Sequence, residues 1–402
     1  MFSSLCSQEI CASAVREPLI ISCPQTPKFP RFLSIPPKGH SLSRAVGYSD
    51  LQRRRLSVSS YQEGPCKKDV APAMALLDVT DLTVSLNAGA RTAAIVENLS
   101  LRLERGNCLG IVGESGSGKS TAAMAIMGLL TDGPLQVSGR VLFDGSDLAQ
   151  MRPAEFRKLQ GTGIAMIFQD PMSSLNPVMR IGDQIVECLQ AHRRLTKSSA
   201  RGRAIEALAR VGMPDPEGMM HRYPHQLSGG QRQRVMIAMA IVFEPKLLIA
   251  DEPTTALDLT IQAQILQLLK QLSRDLNMAL VLITHDLGVV AGMSDEVIVL
   301  YSGRDVERGP TQEVLENPQH PYTRGLLGAH PSMDGECERL TPIAGTPPSI
   351  WQRPSGCAFR DRCPEAIDGC ATVKPELVAT PQRAHHVACL LQECSPQAKE
   401  SA

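Results

Sequence analysis

Leu109-Gly110-Ile111-Val112-Gly113-Glu114-Ser115-Gly116-Ser117-Gly118-Lys119-Ser120 joins a short apolar run to a loop of the form G-x-x-x-x-G-K-[ST], and the helix-like stretch from Thr121 to Leu130 follows directly. A strand that turns through glycines into a helix aims backbone N–H groups at one spot, and the positive end of the helix reinforces them. Phosphate is the ligand that suits such a loop. Lys119 is placed to reach the β- and γ-phosphates of a nucleoside triphosphate, and the Ser120 hydroxyl to ligate Mg²⁺. The candidate phosphate-binding residues are therefore Gly113, Glu114, Ser115, Gly116, Ser117, Gly118, Lys119, Ser120 and Thr121.

Downstream, Leu247-Leu248-Ile249-Ala250-Asp251-Glu252 is an apolar run that ends in two carboxylates. Asp251 suits Mg²⁺, a hard cation that prefers oxygen ligands. Glu252, one residue further on, suits a general base that polarises an attacking water. Around these motifs short apolar runs (108–112, 164–168, 247–250, 281–284) alternate with longer helical stretches such as 261–276. That alternation predicts an α/β fold with a mostly parallel sheet covered on both faces, whose ligands gather beyond the carboxyl ends of the strands.

Lys plus Arg and Asp plus Glu each number 41, so no basic excess points to nucleic acid, and none is expected as a partner. The longest apolar stretches, such as 278–283 and 235–243, fall far short of the ~18 residues a spanning helix needs, so membrane attachment is expected through another subunit. Residues 1–73 are rich in Ser, Pro, Arg and Cys without periodicity and read as a disordered extension. Residues 74–310 carry the α/β pattern. A Pro-rich tract follows (Asn317-Pro318, His320-Pro321, Pro347-Pro348) and reads as a linker to a small cysteine-containing region within 311–402.

Between the phosphate loop and the acidic run lies Leu227-Ser228-Gly229-Gly230-Gln231, which opens the helix-like QRQRVMIAMAIVF with Ser228 as a good N-cap. With this element in place the sequence resembles the ATP-binding cassette (ABC) family, whose ATPases carry the LSGGQ signature at this point. Gln169, after the run 164–168, matches the family's Q-loop glutamine. Asp258, in Ala256-Leu257-Asp258, matches the D-loop, and His285, after 281–284, matches the switch histidine. The resemblance implies ATP as nucleotide, Glu252, His285 and Gln169 as catalytic residues, and Ser120, Gln169 and Asp251 around Mg²⁺. It also implies a P-loop nucleotide-binding domain with a helical subdomain at about residues 173–245, and a head-to-tail pair in which Leu227 to Gln231 meet the nucleotide of the partner. One departure stands out: Leu86 occupies the place where the family commonly stacks adenine on an aromatic ring.

The stretches Ile167 to Pro177 and Asn317 to Thr323 resemble the oligopeptide and dipeptide importer branch, and MIAMAI with PKLLIADEPTTALDLTIQAQIL resembles the first of its paired, unequal ATPases. The implied partners are a second homologous ATPase, two permease subunits and an extracytoplasmic solute-binding protein, with the ATPase peripheral on the cytoplasmic side of the plasma membrane. Related branches move nickel or other solutes on similar motors, and non-transport ABC ATPases form the other alternative. Cys357, Cys363, Cys370 and Cys389 can supply the thiolates of an iron–sulfur cluster, with Arg360 and Arg362 offsetting its charge. The segment resembles importer extensions of which some hold a [4Fe–4S] cluster. Zinc, or no metal at all, remains open on the residues alone.

Overall fold

Strands Cys108–Val112 (β3), Leu247–Asp251 (β7) and Ala279–Thr284 (β8) are buried at every residue, as parallel strands with both faces covered must be. In the computed structural model, which describes residues 75–89, 91–130, 133–170, 174–329, 342–381 and 384–393, these strands form the middle of an eight-stranded sheet. With Ile164–Ile167 (β6), Glu296–Tyr301 (β9), Arg304–Pro310 (β10), Val378–Ala379 (β11) and His386–Val387 (β12), the order is β11-β12-β10-β9-β3-β8-β7-β6. The pairings from β9 to β6 are parallel, and β10, β12 and β11 extend the sheet antiparallel. The expected disordered extension at 1–73 lies outside the described residues.

Alternate side chains of the central strands enter different cores. Leu247, Ile249, Val281 and Ile283 share a cluster with the helix Lys119–Ile126 (α1) and with Leu77, Val79, Leu82 and Val84. Those last residues belong to Leu77–Ala88 (β1), the strand of a second, antiparallel sheet that pairs with Arg91–Leu103 (β2) and Leu135–Phe143 (β4) and is completed by Ser146–Asp147 (β5). Alanines at 122, 123 and 125 let α1 fit in this core.

Leu248, Ala250, Leu280 and Leu282 point the other way, into a core made largely by helices. After the short helix Pro153–Leu159 (α2), Ile181–His192 (α3) contributes Ile181, Ile185 and Leu189 at helical spacing. Lys197–Arg210 (α4) contributes Ala200, Ala204 and Leu208, and the single turn Pro216–Met219 (α5) follows. Gly229–Ile241 (α6) adds Val235, Ile237, Ala238 and Ile241, and Leu259–Asp275 (α7) adds Ile265, Leu269 and Leu272. Truncating one of these large side chains to alanine costs about 2–5 kcal/mol. Among the described residues no helix is long and apolar enough to cross a membrane.

The first part of the Pro-rich tract, around Pro318 and Pro321, is not the linker expected from its composition. After Leu287–Met293 (α8), helices Thr311–Glu316 (α9) and Pro321–Gly328 (α10) carry the chain back onto the sheet. Tyr322 is wholly buried there with Tyr301 and Phe359. Proline at the first position of α10 needs no N–H partner, and His320 caps that helix through Nδ1, which accepts from Tyr322 N at 3.0 Å. Further on, β12 lies against β10 with Glu307 opposite Val387. His385 Nε2 and Glu307 Oε1, both with no solvent exposure, are 2.8 Å apart. The Glu307 carboxylate also accepts from the backbone N–H of Gln319 and His320, at 2.6 and 3.1 Å. One buried acid thus collects the tract and the tail, both of its carboxylate oxygens accepting hydrogen bonds.

Candidate nucleotide site

Strand register assembles the site. Ile167 lies opposite Ala250, so residues two further along each strand, Gln169 and Glu252, emerge side by side. Asp251 lies opposite Ile283 and Val112 opposite Thr284, which brings His285 to the end of β8 between Glu252 and Gly113. Four apolar runs, cut off at matching heights, thereby deliver the motif residues to one end of the sheet. This is the carboxyl end, where such sheets bind ligands.

The turn out of β3 requires its glycines. A Cβ on Gly113 would stand 2.2 Å from the Leu300 carbonyl oxygen, and Gly118 has φ +100°, which an L side chain rarely adopts. Lys119, 5% exposed, folds its Nζ over the loop and donates to Gly113 O at 2.7 Å and Glu114 O at 3.0 Å. Burial lowers its pKa, opposed by the charges of Glu252, Asp251 and Glu114. Ser120 Oγ donates to Asp251 Oδ1 at 3.0 Å, so the hydroxyl and carboxylate expected to share a cation are in contact. Burial raises the Asp251 pKa, the Ser120 hydrogen bond lowers it, and the neighbouring Glu252 raises it. A divalent cation with water-filled remaining positions fits this hard oxygen pair.

Glu252 sits just past β7 with φ 46°, an uncommon backbone state for a non-glycine residue. Its carboxylate is held from several sides. Gln169 Nε2 donates to Oε2 at 2.8 Å, Thr255 Oγ1 donates to the same oxygen at 2.9 Å, and His285 Nδ1 lies 3.5 Å from Oε1. Gln169 therefore turns toward the acid at 252 instead of joining Ser120 and Asp251, where it was expected around magnesium. An open cleft of about 590 Å³ is bordered by Gly113, Glu114, Ser115, Gln169, Glu252 and His285. Leu326 and Pro347 complete its wall from the C-terminal region. Neither residue carried a sequence signal for this role.

The signature residues do not border that cleft. Ser228 caps α6 as expected: Gln231 N donates to Ser228 Oγ at 3.3 Å, and Ser228 N to Gln231 Oε1 at 3.1 Å, a reciprocal capping box. Gly230 lies so close to α7 that an added Cβ would meet Ile261 at 2.6 Å, and one on Gly229 would meet Leu257 at 3.2 Å. Asp258 caps α7 by accepting from Ile261 N at 3.0 Å. Signature and D-loop are therefore neighbours, and Leu259 beside them is 83% exposed.

Cys357, Cys363, Cys370 and Cys389 are free thiols. Burial raises the pKa of Cys357, Cys363 and Cys389, and each of these also feels the charge of Cys370. Backbone N–H groups of Phe359 and Arg360 oppose that rise at Cys357, that of Glu365 at Cys363 and that of Leu391 at Cys389. Among the described residues, however, no three His, Cys, Asp or Glu side chains gather as a single metal ion requires. The arginines expected to offset a cluster's charge are engaged elsewhere. Arg362 binds Glu114 of the phosphate loop, and Arg360 binds Asp361 and the carbonyls of Ser355 and Ala371.

A phosphate loop facing a strand-end acid pair, flanked by an antiparallel sheet and a helical segment that opens on LSGGQ, defines an ABC-type ATPase. Residues 96–255 match the family model for ABC transporters, and residues 306–370 match that for the oligopeptide/dipeptide transporter C-terminal region. The dipeptide transport ATP-binding protein DppD of Bacillus subtilis is 47% identical over 319 residues, 79% of this chain and 95% of that protein. The oligopeptide transport ATP-binding protein OppD of Escherichia coli is 48% identical over 311 residues, covering 77% and 92%. Among solved structures, the dimeric post-hydrolysis state of the ATP-binding cassette MJ0796 bound to ADP and Pi superimposes with a TM-score of 0.52 at 30% identity, over 58% of this chain and 98% of that one. The chain belongs to the oligopeptide/dipeptide family of ABC transporter ATP-binding subunits.

Proposed function

We propose that this ATPase energises the import of oligopeptides or dipeptides through partner permease subunits. The observation that carries the reading is the match to peptide-transport ATPases along 92–95% of their length, joined to the family match of the C-terminal region. In this reading ATP lies along residues 113 to 121, and Lys119 exchanges two loop carbonyls for phosphate oxygens. Ser120 and Asp251 hold Mg²⁺, which neutralises charge on the phosphates. Glu252 draws the proton from the attacking water, while Gln169 and His285 keep its carboxylate aimed.

Ser228 to Gln231 then serve the nucleotide held by a second, homologous ATPase. Their distance from their own cleft and the exposure of Leu259 support that pairing. Two permease subunits and an extracytoplasmic binding protein complete the assembly, and the ATPase sits on the cytoplasmic face of the plasma membrane. Membrane vesicles containing the full assembly should take up labelled peptide only with ATP present. Uptake of nickel but not peptide by those vesicles would replace the cargo.

The cysteines support a second reading, a [4Fe–4S] cluster on Cys357, Cys363, Cys370 and Cys389. A cubane binds each thiolate through a separate iron, so its ligands stand further apart than those of one ion, and N–H groups beside the sulfurs suit it. Anaerobically purified chain should contain about four irons per molecule; an iron-free, colourless protein would remove the cluster.

A further inference from the structure

The phosphate loop carries an acid of its own. Glu114 borders the cleft, and its negative charge reaches Lys119. A free carboxylate there would repel an incoming triphosphate. The described structure answers that repulsion from the C-terminal region. Arg362 Nη1 lies 2.6 Å from Glu114 Oε2 and Nη2 lies 2.9 Å from Oε1, a bidentate pair. The guanidinium is fixed on its other sides: Nε donates to Ala344 O at 2.9 Å, and the Tyr301 and Phe359 ring centroids lie 5.8 and 5.9 Å from its central carbon. Its side chain is only 5% exposed. A second contact sets the backbone, for Glu114 N donates to the buried Tyr322 hydroxyl at 2.9 Å. That N–H is thereby turned toward α10.

We infer that Arg362 is a positioning residue for nucleotide binding: it neutralises Glu114 and draws its carboxylate off the phosphate path, with Tyr322 holding the same residue by its backbone. The C-terminal region therefore tunes how tightly the loop accepts a triphosphate. This rests on the nucleotide reading of the site, and the experiment separates the two.

Binding of the Mg²⁺ complex of a non-hydrolysable ATP analogue to the full chain is measured by calorimetry in four proteins: the unmodified chain, Arg362→Ala, Glu114→Gln and the double variant. Arg362→Ala should weaken binding about tenfold, and Arg362→Lys, which keeps the charge but loses the fork, should recover part of it. In the Glu114→Gln background the same Arg362→Ala change should cost less than about twofold, because no charge remains to be neutralised. An equal loss in both backgrounds would assign Arg362 a merely structural role and overturn the inference. Should Arg362→Ala not fold, the cycle is run with Arg362→Gln, which also removes the charge, under the same criterion. No binding by the unmodified chain would instead remove the nucleotide site itself.

Discussion

Gln169 Nε2 and Glu252 Oε2 are 2.8 Å apart, joined across the ends of adjacent parallel strands. The hydrogen bond fixes the orientation of the acid from the strand alongside.

Replacing that acid by its amide keeps the shape and removes the carboxylate proposed as the base. Glu252→Gln should bind ATP while turnover falls about 10²–10⁴-fold. Phosphate release, measured with the assembled partners in membranes, checks this. Unchanged turnover would take Glu252 out of the role of base.

Asp251 behaves differently, because burial already burdens its charge. A raised folded-state pKa means that the group favours folding below the ordinary carboxylate range, a benefit lost as pH rises through the folded value. At neutral pH the buried carboxylate therefore works against stability. Asp251→Asn should raise the melting temperature of the nucleotide-free protein by on the order of 2 °C while abolishing magnesium-dependent hydrolysis. Calorimetric melts with and without MgATP read both effects; a lower melting temperature would contradict the argument.

His320 supplies an acid-side transition. It is wholly buried, and burial pushes its pKa down to about 4, opposed by the Glu307 charge and aided by that of Arg324. The lowered folded value means that the neutral ring stabilises the fold above about pH 6.5. That contribution disappears as pH falls toward 4, at most about 3 kcal/mol in all. His320→Asn should flatten the decline of urea-unfolding free energy between these pH values. An undiminished slope would place the acid sensitivity elsewhere.

Leu86, where relatives of the wider family stack an aromatic ring on adenine, lies toward the end of β1 opposite Leu135 and Ala93. A base stacked on an aromatic side chain gains about 1 kcal/mol or more, so Leu86→Tyr should tighten ATP binding roughly fivefold. Competition between ATP and GTP measures it. Equal affinity before and after the change would show that adenine lies away from this residue.

The central strands and the motif residues at their ends were legible because their signals are local. A run such as Leu247 to Ala250 has the length and composition of a fully covered strand, and a carboxylate just after such a strand emerges at its end. Ser228 as N-cap was legible for the same reason. What the sequence did not disclose depends on distant meetings. Arg362 looked like a counter-charge for nearby thiols, yet its partner Glu114 is 248 residues away. In the motif order Gln169 reads as a neighbour of magnesium, and its contact with Glu252 emerges only from the register with β7. The prolines of 317–348 suggested a spacer, whereas Tyr322 among them is a core residue of the fold. Composition reports local backbone preference and is silent on what a long segment will pack against.

The sealed Glu307–His385 contact sets a rule for anyone recombining these proteins. A chimaera joined near residue 310 inherits its acid from one parent and its imidazole from the other. Unless the parents agree at both positions, one ionisable group is entombed without its side-chain counterpart, at a cost of up to several kcal/mol. Viable grafts will be those that transplant the pair together or mutate both halves at once.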